Sequence, residues 1–64
     1  MWTHIRTVPN KLLAEMWCEL LEYSSIPTLV RPDEKEAHLG ELGKQRIFVP
    51  SDRVHVAEDV IKSA

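Results

Sequence analysis

The sequence predicts an α+β fold in one domain that spans residues 1–64. Three observations support this prediction. Two stretches repeat apolar residues with the period of a helix, three short stretches are rich in β-favouring residues, and prolines separate these stretches. A chain of 64 residues has room for one small core, so its elements must all pack against it or against another molecule.

The longest helical pattern lies between Asn10 and Ser25. Six apolar residues recur there at i, i+1, i+4, i+5, i+8 and i+9: Leu12, Leu13, Met16, Trp17, Leu20 and Leu21. The opposite side carries Lys11, Glu15, Glu19 and Glu22. We expect the six apolar residues, Leu20 included, to cover the core. Asn10 is suited to cap the start of this helix, and Pro27 predicts its end near Ser24 and Ser25.

Three stretches are predicted β-strands: Trp2–Val8, Thr28–Arg31 and Gln45–Val49. The first alternates Thr3, Ile5 and Thr7 with larger or charged residues, which is the period of a strand. A proline directly follows each stretch and removes a backbone donor, so we expect each strand to end there.

The connection Pro32–Gln45 is longer than most hairpin loops and is a candidate loop for a protein partner or a small ligand. Asp33 followed by Glu36 resembles a capping box, and Gly40 is suited to end a helix, so we expect one or two helical turns over residues 34–39. The residues assigned to a partner or ligand are Asp33, Glu34, Glu36 and His38.

A second helix is predicted after Ser51, which can cap its start. Its apolar face comprises Val54, Ala57, Val60, Ile61 and Ala64. The resulting order is β-α-β-β-α. A helix between the first two strands favours a right-handed parallel crossover, and the third strand can pair between them. This predicts a three-stranded sheet of order 1-3-2 with both helices on one face, which is a ferredoxin-like domain without its last strand.

The other face of this sheet is the predicted interaction surface. If Ile5, Val30, Ile47 and Val49 face the helices, alternation places a second set opposite them: Trp2, His4, Arg6, Leu29, Arg31, Arg46 and Phe48. Exposed aromatic residues on a half-covered sheet favour self-association as a dimer or trimer, through this face or through the edge of the first strand. The alternative is a platform for single-stranded nucleic acid. A shift of one residue in the first strand would instead turn Trp2 and Val8 inward.

The composition disfavours several other functions. A net charge of −2 gives no general attraction to nucleic acid or to anionic lipid, and there is no apolar run long enough to span a membrane. Cys18 is the sole cysteine, and Glu15, Glu19 and Glu22 beside it disfavour a thiolate. His4, His38 and His55 lie on different predicted elements, and Glu34 with His38 lacks a third ligand. We therefore expect a cytoplasmic protein that is not an enzyme and has no metal or cofactor.

Two groups of residues resemble a known family. The first group is Ala14-Glu15, Leu20-Leu21-Glu22 and Ile26-Pro27; the second is Ile47-Phe48-Val49-Pro50 with Asp52, Ala57 and Ile61. Together they resemble a small bacterial domain family of unknown function, described as prokaryotic signal-transducing proteins and related in fold to the nitrogen-regulatory PII proteins. The resemblance covers nearly the whole chain, mostly at core positions, and implies a PII-like oligomer that transmits a signal by contact.

Two differences limit what this resemblance implies. Ser25 stands where the family usually has glycine before the Ile-Pro pair. The segment Pro32–Gln45, which corresponds to the modified loop of PII proteins, contains no tyrosine, and this excludes PII-style uridylylation there. No nucleotide-binding motif matches either.

Overall fold

Three strands and two α-helices follow one another in the predicted β-α-β-β-α order. The computed structural model describes residues 1–63 and contains β1 (Trp2–Val8), α1 (Lys11–Tyr23), β2 (Leu29–Pro32), β3 (Gln45–Pro50) and α2 (Val54–Ser63). Two 3₁₀-helical segments precede β3 and α2, at Glu34–Leu42 and Ser51–Arg53. Ala64, assigned above to the apolar face of the second helix, lies outside the described residues.

The sheet has the predicted order, with β3 in the centre. Both β1 and β2 pair with β3 in the antiparallel direction, so β1 and β2 run parallel to each other at the two edges. The molecule is therefore a small α+β domain of the ferredoxin-like kind, with a three-stranded sheet and both helices on one face.

The core lies between this sheet and the helices. Its buried apolar residues are Val8, Ala14, Leu21, Ile26, Ile47, Val49 and Ala57. The helices contribute two alanines, whose small side chains allow the helix backbones to approach the sheet closely. Ile5 and Val30 pack partly buried against the same cluster, as the alternation predicted.

An irregularity in β1 makes one of the face assignments wrong. The pairing of β1 with β3 shifts between His4 and Arg6, so that Arg6, instead of Ile5, lies opposite the buried Ile47. Such a bulge inserts one extra residue and turns the following side chains to the other face. Arg6 therefore lies on the helix side, where its guanidinium Nη2 is 3.3 Å from a carboxylate oxygen of Glu58 in α2.

The orientation of α1 also differs from the prediction. Its cap is confirmed, because the Asn10 side chain accepts a hydrogen bond of 3.0 Å from the Leu13 N–H. However, the buried positions are Ala14 and Leu21, while Leu20 is only partly buried. The apolar face of α1 is therefore rotated about the helix axis relative to the predicted orientation, and part of it faces solvent.

The start of the second helix was also predicted wrongly. Ser51 does not cap α2, which begins at Val54. The Ser51 hydroxyl donates to the carbonyl oxygen of Met1 at 3.2 Å and lies 2.6 Å from the Thr3 hydroxyl. Its side chain therefore joins the 3₁₀-helical turn to β1 rather than to the helix that follows.

Candidate interaction surfaces

The sheet face opposite the helices keeps most of the predicted surface residues. We call this the open face and define it by Trp2, His4, Leu29, Arg31, Arg46 and Phe48. The cross-strand pairs His4 with Phe48, Leu29 with Phe48, and Arg31 with Arg46 establish that these side chains share one side. Neither helix covers this face.

One end of the open face is apolar and aromatic. Trp2, the first residue of β1, is 45% exposed. The rings of His4 and Phe48 are in tilted contact, with centroids 5.5 Å apart, and Leu29 lies opposite Phe48 from the other edge. The His4 Nε2 is also 2.9 Å from the Thr7 hydroxyl oxygen. These contacts place the histidine ring against Phe48.

The other end of the open face is basic. Arg31 and Arg46 lie directly opposite each other on neighbouring strands, which is unfavourable for two like charges unless a counter-charge is near. Asp33 supplies one, since its carboxylate oxygen is 3.9 Å from the Nε of Arg46. Among residues 1–63, Arg31 has no carboxylate within ion-pair distance.

The predicted partner loop is held shut by its own polar residues. Asp33 accepts a hydrogen bond of 2.9 Å from the Lys35 N–H, and its own N–H donates to the Lys44 carbonyl oxygen at 2.9 Å. Glu36 does not complete a capping box; its carboxylate instead accepts from the Lys44 N–H at 3.3 Å. Two of the four predicted loop residues, Asp33 and Glu36, thus stabilise the loop itself.

Gln45 is the loop residue that sequence reasoning missed. Its buried side-chain amide donates to the carbonyl oxygens of Gly40 and Gly43, both at 3.1 Å. A buried glutamine directly after a glycine-containing loop satisfies carbonyls that the loop cannot pair itself. The expected helical turns over residues 34–39 are present, in 3₁₀ form, and Gly40 interrupts them with a φ of 59°. Glu34 and His38 remain exposed on the outside.

The described residues contain no group of side chains that is arranged to bind a metal ion. Within residues 1–63, no three histidine, cysteine, aspartate or glutamate side chains are placed to hold a metal ion, and Glu34 with His38 acquires no third ligand. Cys18 is a free, half-buried thiol on α1. No helix in residues 1–63 has both the length and the apolar character to cross a membrane.

A second exposed apolar surface was not predicted. It lies on the outer side of the helices, and we call it the helical stripe, defined by Leu12, Leu13, Met16, Leu20, Leu42, Val56 and Val60. Leu12 is 68% exposed and Met16 is 58% exposed. The sequence did contain a signal for this second surface: the apolar face of residues 12–21 is wider than one helix needs to cover a sheet.

In comparisons with known proteins, no family model, no curated protein sequence and no solved structure matches this chain. The resemblance to prokaryotic signal-transducing proteins therefore stays a prediction.

Proposed function

We propose that this chain is a non-enzymatic, cytoplasmic interaction module that self-associates through its open face and transmits a signal by contact. The observation that carries the proposal is the uncovered aromatic patch. Trp2 is 45% exposed, and the rings of His4 and Phe48, which contact each other, lie on the sheet face that neither helix covers. Such a patch on a small domain favours association, because covering it removes apolar surface from water.

The open face is favoured over the free edge of β1 as the site of contact. Edge pairing requires a regular ladder of free N–H and C=O groups, and the bulge at Ile5 interrupts that ladder. The other edge strand, β2, has only four residues and ends in Pro32. Face-to-face packing uses side chains instead and is not affected by either feature.

The charges of the open face also select the arrangement of a dimer. If two copies packed with their strands in the same direction, the Arg31–Arg46 ends would meet and repel. A two-fold axis across the strands instead places this basic end of one copy over the Trp2 end of its partner. Arginine guanidinium groups stack favourably on tryptophan rings, so the second arrangement is the one that we propose.

The state of association tests this proposal directly. Sedimentation velocity at tens of micromolar should give a dimer for the unmodified chain. Trp2→Ser should weaken the dimer by at least about tenfold, because tryptophan side chains that become buried in an interface carry a large share of the binding energy. Leu12→Ser is the matched control, since it removes a 68% exposed apolar side chain on the far side of the molecule. A monomer at these concentrations, or equal effects of both variants, would contradict the proposal.

A single-stranded nucleic-acid platform is the second candidate, because rings and arginines share the open face. The bulge weakens this candidate by moving Arg6 to the helix side, and Asp33 lies beside Arg46. Filter binding of a single-stranded oligonucleotide at low and high salt separates the two functions. Retention at low salt that falls steeply with added salt would support nucleic-acid binding. If the oligonucleotide is not retained on the filter even at low salt, nucleic-acid binding is ruled out.

A further inference from the structure

The helical stripe forms one continuous surface. Leu12, Met16 and Leu20 are spaced four residues apart on α1 and so lie in a line along its outer side. Leu42 of the 3₁₀-helical segment borders the same depression as Leu12 at one end of this line. At the other end, Leu20 borders a groove with Val56 of α2.

The most exposed side chains of the stripe are not part of the core, whereas Leu13 and Val60 pack partly buried against it. The residues of α1 that are fully buried against the sheet are Ala14 and Leu21, whereas Leu12 and Met16 are mostly in solvent. Val56 of α2 is likewise 46% exposed while its neighbour Ala57 is buried. Single exposed apolar residues are ordinary, but a connected row of them on two helices marks a contact surface.

The middle of the stripe is a shallow depression that can accept side chains. It is lined by Leu13, Met16, Trp17 and Leu20 and has a volume of about 240 Å³. Trp17 is half-buried there, with one part against the core cluster. Methionine and leucine side chains around such a depression can adjust to an entering apolar group.

Acidic residues border the stripe. Glu15 and Glu41 lie beside the depression at Leu12, and Asp59 lies beside the groove at Val56. Glu19 continues the acidic side of α1, and Lys11 is the cation at its start. A second copy placed on this surface would bring the same acids together, and an anionic membrane would also be repelled. A partner with basic flanks would be attracted.

We propose that the helical stripe binds an amphipathic helix of another protein, with leucine-like side chains in the stripe and lysine or arginine on both flanks. The line from Leu12 to Leu20 on α1 is roughly 12 Å long, which is close to the rise from i to i+7 along a bound helix. Anchors at i, i+3 or i+4, and i+7 are the usual means by which such a helix occupies an apolar groove. This site lies on the opposite side of the molecule from the open face and does not depend on self-association.

The experiment uses the full chain and two synthetic peptides of roughly 14 residues, a length that matches α1. Both carry leucines on one helical face; one has lysines on the flanks, and the other has glutamates at the same positions. The chain has two tryptophans, so Trp2→Phe leaves Trp17 as the fluorescent reporter within the stripe. We expect the lysine peptide to shift Trp17 emission with a dissociation constant on the order of 10 μM and the glutamate peptide to bind at least about tenfold more weakly.

Variants of the chain separate groove binding from general charge attraction. Met16→Ser should lower the affinity for the lysine peptide by at least about tenfold, because it removes an apolar contact without changing the charge. Leu29→Ser, on the open face, should leave the affinity unchanged. Glu15→Gln with Glu19→Gln should weaken binding and reduce its dependence on salt.

Three results would overturn the proposal. Equal affinity for both peptides would show that the acidic border has no role. An unchanged affinity of Met16→Ser, with its fold verified by circular dichroism, would show that the stripe is not the binding site. Binding of the chain to vesicles of anionic lipid, with Leu12→Ser abolishing it, would assign the stripe to a membrane surface instead.

Discussion

At the residue scale, two neighbouring leucines on α1 have opposite roles. Leu21 is fully buried between the helix and the sheet, whereas Leu20 is only partly buried and borders the groove at Val56. The sequence places both leucines on one wide apolar face of the helix, and helical periodicity alone does not determine which part of that face packs on the core. Ala14, on the same face as Leu21, is also fully buried, and its small side chain allows α1 to lie close to the sheet.

Alanine substitution distinguishes these two leucines. Leu21→Ala should lower the free energy of unfolding by about 2–5 kcal/mol, because it leaves a cavity in a fully buried site. Leu20→Ala should cost clearly less, because its site is partly in solvent and leaves no closed cavity. Urea denaturation monitored by circular dichroism measures both. Equal losses would mean that α1 is rotated relative to the orientation described above.

Arg6 illustrates a feature that the sequence signals only indirectly. A strict period of two cannot turn both Ile5 and Val8 inward, because they are three residues apart. The bulge resolves this conflict, with Ile5 against the core and Val8 buried. The conflicting spacing was visible in the sequence, but the position of the extra residue depends on the pairing with β3. Arg6 was therefore assigned to the wrong face.

At the element scale, the ends of the strands and helices were the most predictable features. The prolines near the strand ends and the cap at Asn10 act locally, so the sequence predicts these ends to within one residue. β2 and β3 include Pro32 and Pro50 as their last residues, one residue beyond the predicted ends. Ser51 shows the limit of this reasoning. Its hydroxyl could have capped α2, but the carbonyl oxygen of Met1, distant in sequence, is the acceptor it meets in the folded chain.

The end of α1 carries local strain. The Ser25 N–H donates to the Glu22 carbonyl oxygen at 2.8 Å, and the Ile26 N–H donates to that of Leu21 at 3.0 Å. This pattern is a Schellman motif, and it requires a left-handed residue at position 25. Ser25 adopts it with a φ of 64°. The motif also directs Ile26 back into the core, where it is fully buried beside Leu21.

Replacing Ser25 by glycine should relieve this strain. A side chain in the left-handed region costs about 1–2 kcal/mol, and glycine loses part of that gain through its greater freedom in the unfolded chain. We expect Ser25→Gly to raise the free energy of unfolding by roughly 0.5–1 kcal/mol. Thermal and urea unfolding measure the gain, with Ser24→Gly as the control at an ordinary φ of −90°. A loss of stability in Ser25→Gly would contradict this account of the helix end.

In the loop before β3, the sequence alone could not distinguish residues that stabilise the loop from residues that are free to contact a partner. Four polar residues are assigned to a partner or ligand, and two of them, Asp33 and Glu36, also make hydrogen bonds within the loop. Gly43 is required there for space rather than for its backbone angles, since a Cβ would lie 2.5 Å from the Glu36 carbonyl oxygen. Such contacts depend on the closed shape of the loop, which no local pattern in the sequence specifies.

At the scale of the whole molecule, the domain is two layers thick and has a different surface on each side. Its extents are 32, 23 and 15 Å, so the sheet and helix layers account for its shortest dimension. The open face ends in arginines, whereas the helical stripe is bordered by acids. The negative net charge of the chain hides this asymmetry, and for that reason composition could not identify either partner.

These two surfaces should act independently. The core residues between them, Ile47, Val49 and Leu21, are fully buried in one packed cluster, and neither proposed contact requires them to move. We therefore expect each copy in the Trp2→Phe dimer to bind one lysine peptide with the same affinity as the Trp2→Ser variant at a concentration where that variant is monomeric, with Trp17 as the reporter in both. Because coupling between two sites is reciprocal, saturating peptide should also leave the dimer dissociation constant unchanged. Sedimentation with and without peptide measures this. A peptide that dissociates the dimer would show either that the two surfaces overlap or that the helices and sheet rearrange together, and the two-sided organisation proposed here would then be wrong.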